Sequence, residues 1–101
     1  MIDVKKPLFK PGQVLATPGA LEALEQAHQT VWELLAQHIQ GQWGSELSDE
    51  DRRLNDEAMK DGSRILSAYI LKTGVKVWVI TAATDDNGNR ASTVALLPNE
   101  Y

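Results

Sequence analysis

Apolar side chains recur every three or four positions through the first half of the chain and alternate with polar ones through the second. That change of period predicts helices followed by strands. In "TPGALEALEQA", Thr17 stands where a cap belongs, Pro18 takes the first helical position where its missing N–H costs nothing, and Leu21 and Leu24 open an apolar stripe. A helix therefore starts at Pro18. "TVWELLAQHIQG" carries a capping box, Thr30 with Glu33, and Gly41 suits a left-handed stop, so a second helix is expected over about 31–40. Leu34, Leu35, His38 and Ile39 fall on or beside its apolar stripe. Ser48, with Asp51 three residues on, caps a third helix over about 49–60 that Gly62 ends. Its stripe is thin, resting on Leu54, Ala58 and Met59.

Three runs rich in Val, Ile, Thr, Tyr and Trp follow, "SRILSAYILK", "VKVWVITAAT" and "ASTVALLP", separated by turn residues. They read as a three-stranded antiparallel β-meander. In the middle run Val75, Val77, Val79 and Thr81 face one way, and Lys76, Trp78 and Ile80 the other. Helices over the valine face give an α+β fold: three N-terminal helices, preceded by a short edge strand at residues 14–16, packed on that meander. With 101 residues the chain fits one domain, residues 1–101.

The bend in "TDDNGNR" invites a test as a calcium loop. Asp85, Asn87 and Asn89 match the first three ligand positions of an EF-hand, but Arg90 and Leu96 stand where glycine and glutamate are needed. Asn87-Gly88 is instead a hairpin signal, since both residues tolerate positive φ.

Composition narrows the chemistry. No cysteine is present, which excludes disulfides, thiolate metal sites and thiol nucleophiles. No apolar stretch approaches the length of a membrane span, and "MIDVKKPLFKPG" lacks the apolar core of a secretory signal, so a cytoplasmic location is expected. The net charge of −4 counts against a protein that binds nucleic-acid phosphates as its main task. Seven of the fourteen acids lie in "GSELSDEDRRLNDEAMKDGS", a concentration read either as a solvated helix face or as a mimic of nucleic acid for a basic groove. His28 and His38 lie on different elements without metal-ligand spacing, and no glycine-rich phosphate loop occurs, so neither metal nor cofactor is expected.

Polar and aromatic residues at unusual places form the list of candidate binding residues. His38 sits on an apolar stripe, Asn55 on the third helix, Arg64 and Tyr69 on the first meander strand, Trp78 and Thr81 on the second, and Arg90 at the entry to the third. Trp43, in "GQWG", reads as a plug for the helical layer or as a stacking residue in a groove. Trp78 occupies the sheet face away from the valines, which is open, covered by the N-terminal segment, or covered by a second subunit.

The segments "ATPGALEAL", "LLAQHIQGQWG", "DRRLNDEAMKDGSRILSAY", "GVKVWVIT" and "LLPNEY" together resemble a widespread family of short bacterial proteins, carried on plasmids and other mobile elements and labelled plasmid-related or hypothetical. The similarity runs over nearly the whole length and includes His38, Trp43, Gly44, Asn55, Arg64, Tyr69, Trp78, Thr81, Arg90 and Thr93. It implies a setting on mobile elements and no particular activity. Ala82 departs from it, because relatives usually place an acid after "IT". The leading expectation is a small binding or regulatory module that works through a protein partner or self-association around Trp78. The alternative is an endoribonuclease laid out like the RelE-type toxins, with His38, Arg64, Tyr69 and Arg90 binding phosphate or moving protons, an argument from fold analogy alone.

Overall fold

The computed structural model describes residues 7–101. The elements run β1 (Gln13–Ala16), α1 (Pro18–Gln26), α2 (Val31–His38), α3 (Asp49–Asp61), β2 (Ile65–Ile70), β3 (Lys76–Thr81) and β4 (Ser92–Leu96), and a 3-10 turn (Pro98–Glu100) closes the chain. The first six residues, "MIDVKK", lie outside the described residues.

All three caps form as their residues dictate. The Thr17 hydroxyl accepts from Ala20 N–H, Thr30 and Glu33 complete their capping box, and the Ser48 hydroxyl accepts from Asp51 N–H. Gly62 ends α3 in the left-handed conformation. The second helix is shorter than expected, stopping at His38 with Ile39 as its cap. On α3 the stripe is corrected by one position. Leu54 is 49% exposed and Asn55 (2%) faces inward in its place, while Ala58 (0%) is buried and Met59 packs against the core as expected.

The expected three-stranded antiparallel meander is replaced by a four-stranded mixed sheet in the order β1-β4-β3-β2. β2, β3 and β4 do pair antiparallel, but β1 lies parallel to β4, with Gln13 opposite Ser92 and Ala16 opposite Ala95. The helices thus form a crossover inserted after the first strand, and with the closing 3-10 turn they are not all N-terminal to the sheet. Four residues carry too little periodicity to announce a pairing partner about eighty positions away.

The α+β class and the direction of the strands hold. Val77, Val79, Thr93 and Ala95 are buried under α1 and α2, where Ala20, Ala23, Leu24 and Leu34 complete the core. α3 runs beside β2, and Asn55 closes that strand's outer edge. Its Nδ2 donates to the Leu66 carbonyl at 2.6 Å and its Oδ1 accepts from Leu66 N–H at 3.0 Å, the two bonds a further strand would supply. Ala68 N–H donates to the Trp43 carbonyl just beyond. A Cβ on Gly44, whose φ is +93°, would run into the Ala68 carbonyl, so the turn after Trp43 needs glycine to lie against the strand.

The hairpin at 85–89 forms with a different backbone from the one its sequence suggests. Gly88 alone takes positive φ, and the Asp85 carboxylate accepts from Asn87 N–H and Asn89 N–H, organising the bend as an Asx turn.

Candidate functional site

Two faces of one sheet carry the residues with chemistry and the residues with contact area, and they divide them unequally. On the inner face a chain of buried hydroxyls surrounds His38. Its Nδ1 lies 2.5 Å from Ser67 Oγ and its Nε2 2.8 Å from Thr81 Oγ1; Thr81 Oγ1 lies 2.6 Å from Thr93 Oγ1, which donates to the Pro11 carbonyl at 2.8 Å. The last bond fixes every proton. A carbonyl only accepts, so Thr93 spends its hydrogen on Pro11, Thr81 donates to Thr93, and His38 donates from Nε2 to Thr81. Nδ1 is left as an acceptor, and the Ser67 hydroxyl donates to it.

This is a serine–histidine pair with the geometry of an activated nucleophile and no route for a substrate. His38, Ser67 and Thr81 are each 0% exposed. Burial, assisted by the positive charge of Arg90, holds the His38 pKa down at about 3, so the ring is neutral at physiological pH. Phe9 meets it edge-on at 5.3 Å and Trp43 at 5.8 Å, closing the remaining sides. What the arrangement accomplishes is to satisfy a buried imidazole and to tie the segment before β1 to the sheet.

The other expected residues are spoken for individually. Trp43 is 5% exposed and plugs the cluster formed with Leu47, Ala58, Ile65 and Ala68. Tyr69 is buried and donates to the Gln42 carbonyl at 2.5 Å, and burial raises its pKa to about 12. Arg90 donates from Nη1 to Ser63 O and Ala82 O and from Nη2 to Ala58 O. It thereby closes the C-terminal end of α3 and joins it to the strands. Ala82 accepts from Arg90 with its carbonyl and donates its own N–H to the Ser92 carbonyl at 3.0 Å. Phe9 lies over the Arg90 guanidinium at 5.7 Å. A cleft of about 660 Å³ opens here, lined by Phe9, Met59, Thr84 and Arg90 together with Lys10, Lys60 and Asp61. Of the four residues of the endoribonuclease reading, His38, Arg64, Tyr69 and Arg90, only Arg90 reaches it. Arg64 is exposed on the opposite side of the sheet, where it donates to the Tyr101 hydroxyl.

That opposite, outer face is apolar. The register places Leu15, Val94, Ile80 and Leu66 side by side across all four strands, with Trp78 beside them between Leu96 and Ala68. Leu15 is exposed and Val94, Ile80, Leu66 and Trp78 are half-buried. Neither α1 nor α2 covers this face. Tyr101 lies across it, edge-on to the Trp78 ring at 5.7 Å and stacked against Arg64. Glu100 fixes the turn that delivers Tyr101. Its carboxylate accepts from the Thr17 hydroxyl at 2.6 Å and from Leu97 N–H at 2.8 Å, and these bonds hold its pKa below the usual carboxylate range. A Cβ on Gly19 would sit 2.6 Å from this carboxylate, so glycine there allows it to reach the start of α1.

The sequence pattern assigns no functional role to Ser67, Phe9, Glu100, Tyr101 or Leu15. Ser67 was recoverable, since alternation puts it on the inner face with Ile65 and Tyr69, where a lone hydroxyl demands a partner. The others act through the tertiary fold, and no local pattern marks them.

Among the described residues no group of His, Asp and Glu could hold a metal ion, and no helix is long and apolar enough to cross a membrane. No family model, curated protein or solved structure matches the chain.

Proposed function

We propose that the protein is a small binding module whose contact surface is the outer face of the sheet, engaging a protein partner, with a second copy of the chain as the simplest one. The observation that carries the reading is the row Leu15, Val94, Ile80 and Leu66, which crosses every strand with Trp78 at its side and stays exposed or half-buried along its length. Such a face is apolar and built on a four-stranded sheet, which suits sheet-on-sheet or helix-on-sheet association. His38 and Tyr69, two of the expected proton-moving residues, are sealed on the other face, which supports binding rather than catalysis by that pair. The resemblance to plasmid-borne proteins would place the module on a mobile element.

Light scattering across a concentration series, on wild type and Ile80→Lys, tests it. Self-association that the lysine abolishes supports the reading. A chain that stays monomeric to about 1 mM removes the self-association form. A partner captured equally by wild type, Ile80→Lys and Trp78→Ala removes the other.

A further inference from the structure

Away from the sheet, α1 and α2 bound a second apolar surface. The end of α1, the connection through Gln29 and Thr30, and the start of α2 enclose a groove of about 420 Å³. Leu24 and Val31 line it, and Leu21 and Trp32 stand at its sides 51% and 61% exposed. Single exposed apolar residues are ordinary, but a tryptophan and a leucine left open on the same groove are what a docking anchor looks like before it is occupied.

The stretch of chain that forms it is acidic, and Glu25 is part of its lining. Between Lys10 and Arg52 the chain has no lysine or arginine, while Glu22, Glu25, Glu33, Glu46, Asp49, Glu50 and Asp51 all fall there. The net charge of −4 therefore divides into −7 for residues 11–51 and +3 for the remainder, which holds all ten basic residues against the other seven acids. Glu22 and Glu25 adjoin Leu21 and Leu24 in sequence, Glu33 adjoins Trp32, and all three are exposed. Lys72 approaches the rim through its backbone, where its N–H donates to the Gln29 side chain.

We propose that this groove docks a basic amphipathic segment of a partner protein, with its apolar side chains seated beside Trp32 and its lysines or arginines facing Glu22, Glu25 and Glu33. Charge complementarity selects the occupant. Nucleic acid and anionic lipid surfaces are repelled by the same acids, and two copies docking groove to groove would bring like charges together. The surface is separate from the outer sheet face and does not depend on it.

The probes are a leucine–lysine peptide patterned as an amphipathic helix and its leucine–glutamate counterpart, titrated calorimetrically into the full chain with backbone amide shifts recorded in parallel. The lysine peptide is expected to bind, shifting amides of α1 and α2 around the groove and weakening as salt rises. Trp32→Ala should weaken it about tenfold or more and Glu25→Lys about threefold or more, while Ile80→Lys on the sheet leaves it within about twofold. Both groove substitutions are at exposed positions, and circular dichroism confirms that the variants are folded. The proposal is overturned by absence of binding at about 1 mM peptide, by equal binding of the glutamate peptide, by indifference to both groove substitutions, or by shifts confined to the sheet face.

Discussion

The two faces of the sheet divide chemistry and contact area between them, although the inner one also carries the apolar core. The inner face, under the helices, holds an imidazole and three hydroxyls in line, and the outer face, toward solvent, presents a row of aliphatic side chains and a tryptophan. Chemical capacity is sequestered and contact area is displayed. Polar groups in a core are retained where every donor and acceptor is matched, and here they are matched in one direction from Ser67 to Pro11. Apolar groups left on a surface have no such local requirement to satisfy, so the outer face says more about function than the face with the reactive residues.

Breaking the inner chain should have the largest effect. His38→Ala strands the Ser67 and Thr81 hydroxyls and opens a cavity, at an expected cost of about 3 kcal/mol or more in urea unfolding. Thr81→Val, which interrupts the chain at its middle, should cost about 1–3 kcal/mol. A His38→Ala protein as stable as wild type would show that the chain is incidental.

The same chain sets a pH dependence. His38 has a folded pKa of about 3 against an ordinary value of 6.5, so between these values the unfolded chain binds a proton that the folded one does not. Its contribution is complete above pH 6.5 and is lost as pH falls toward about 3, with a slope of up to about 1.4 kcal/mol per pH unit. Subtracting the pH profile of His38→Ala from that of wild type isolates this term, and a flat difference over that range contradicts a neutral buried ring.

At the sheet edge, Asn55→Asp keeps the size of the side chain but loses the donor to Leu66 O and buries a charge. It is expected to cost about 2 kcal/mol or more, with faster hydrogen exchange at Leu66 and Ala68.

On the outer face the effects on stability should be small and the effects on association large. Ile80→Lys is expected to change unfolding free energy by less than about 1 kcal/mol while abolishing association through the sheet. Glu100→Gln, which weakens the tie to Thr17, should leave stability nearly unchanged and raise the acrylamide quenching of Trp78, read in a chain whose other two tryptophans are replaced by phenylalanine. Unchanged quenching would mean that Tyr101 holds its place without Glu100.

Much of the local structure was legible, and for reasons that are themselves local. Thr17-Pro18, Thr30 with Glu33, and Ser48 with Gly62 set helix ends through bonds spanning three or four residues. Alternation in β3 put Val77, Val79 and Thr81 inside and Trp78 outside. Illegible were the features whose partners are distant in sequence. β1 pairs with a strand about eighty residues away, and the alternation of Leu54 with Asn55 on α3 was settled by the bare edge of β2, which needed an amide more than it needed another leucine. Arg90 looked like a phosphate ligand and is a clamp on three carbonyls, because the carbonyls where α3 ends need donors from elsewhere in the fold.

The sequence by itself determined the α+β class, the three helix starts, the end of α3 at Gly62 and the inward valines, since each depends on periodicity or on hydrogen bonds within a single turn. Only the tertiary structure decided that His38 is sealed rather than reactive, that β1 makes the sheet mixed, and that one row of aliphatic side chains is left facing solvent. Those outcomes depend on burial and on register between distant strands, and burial is a property of the whole fold that no short stretch of chain contains.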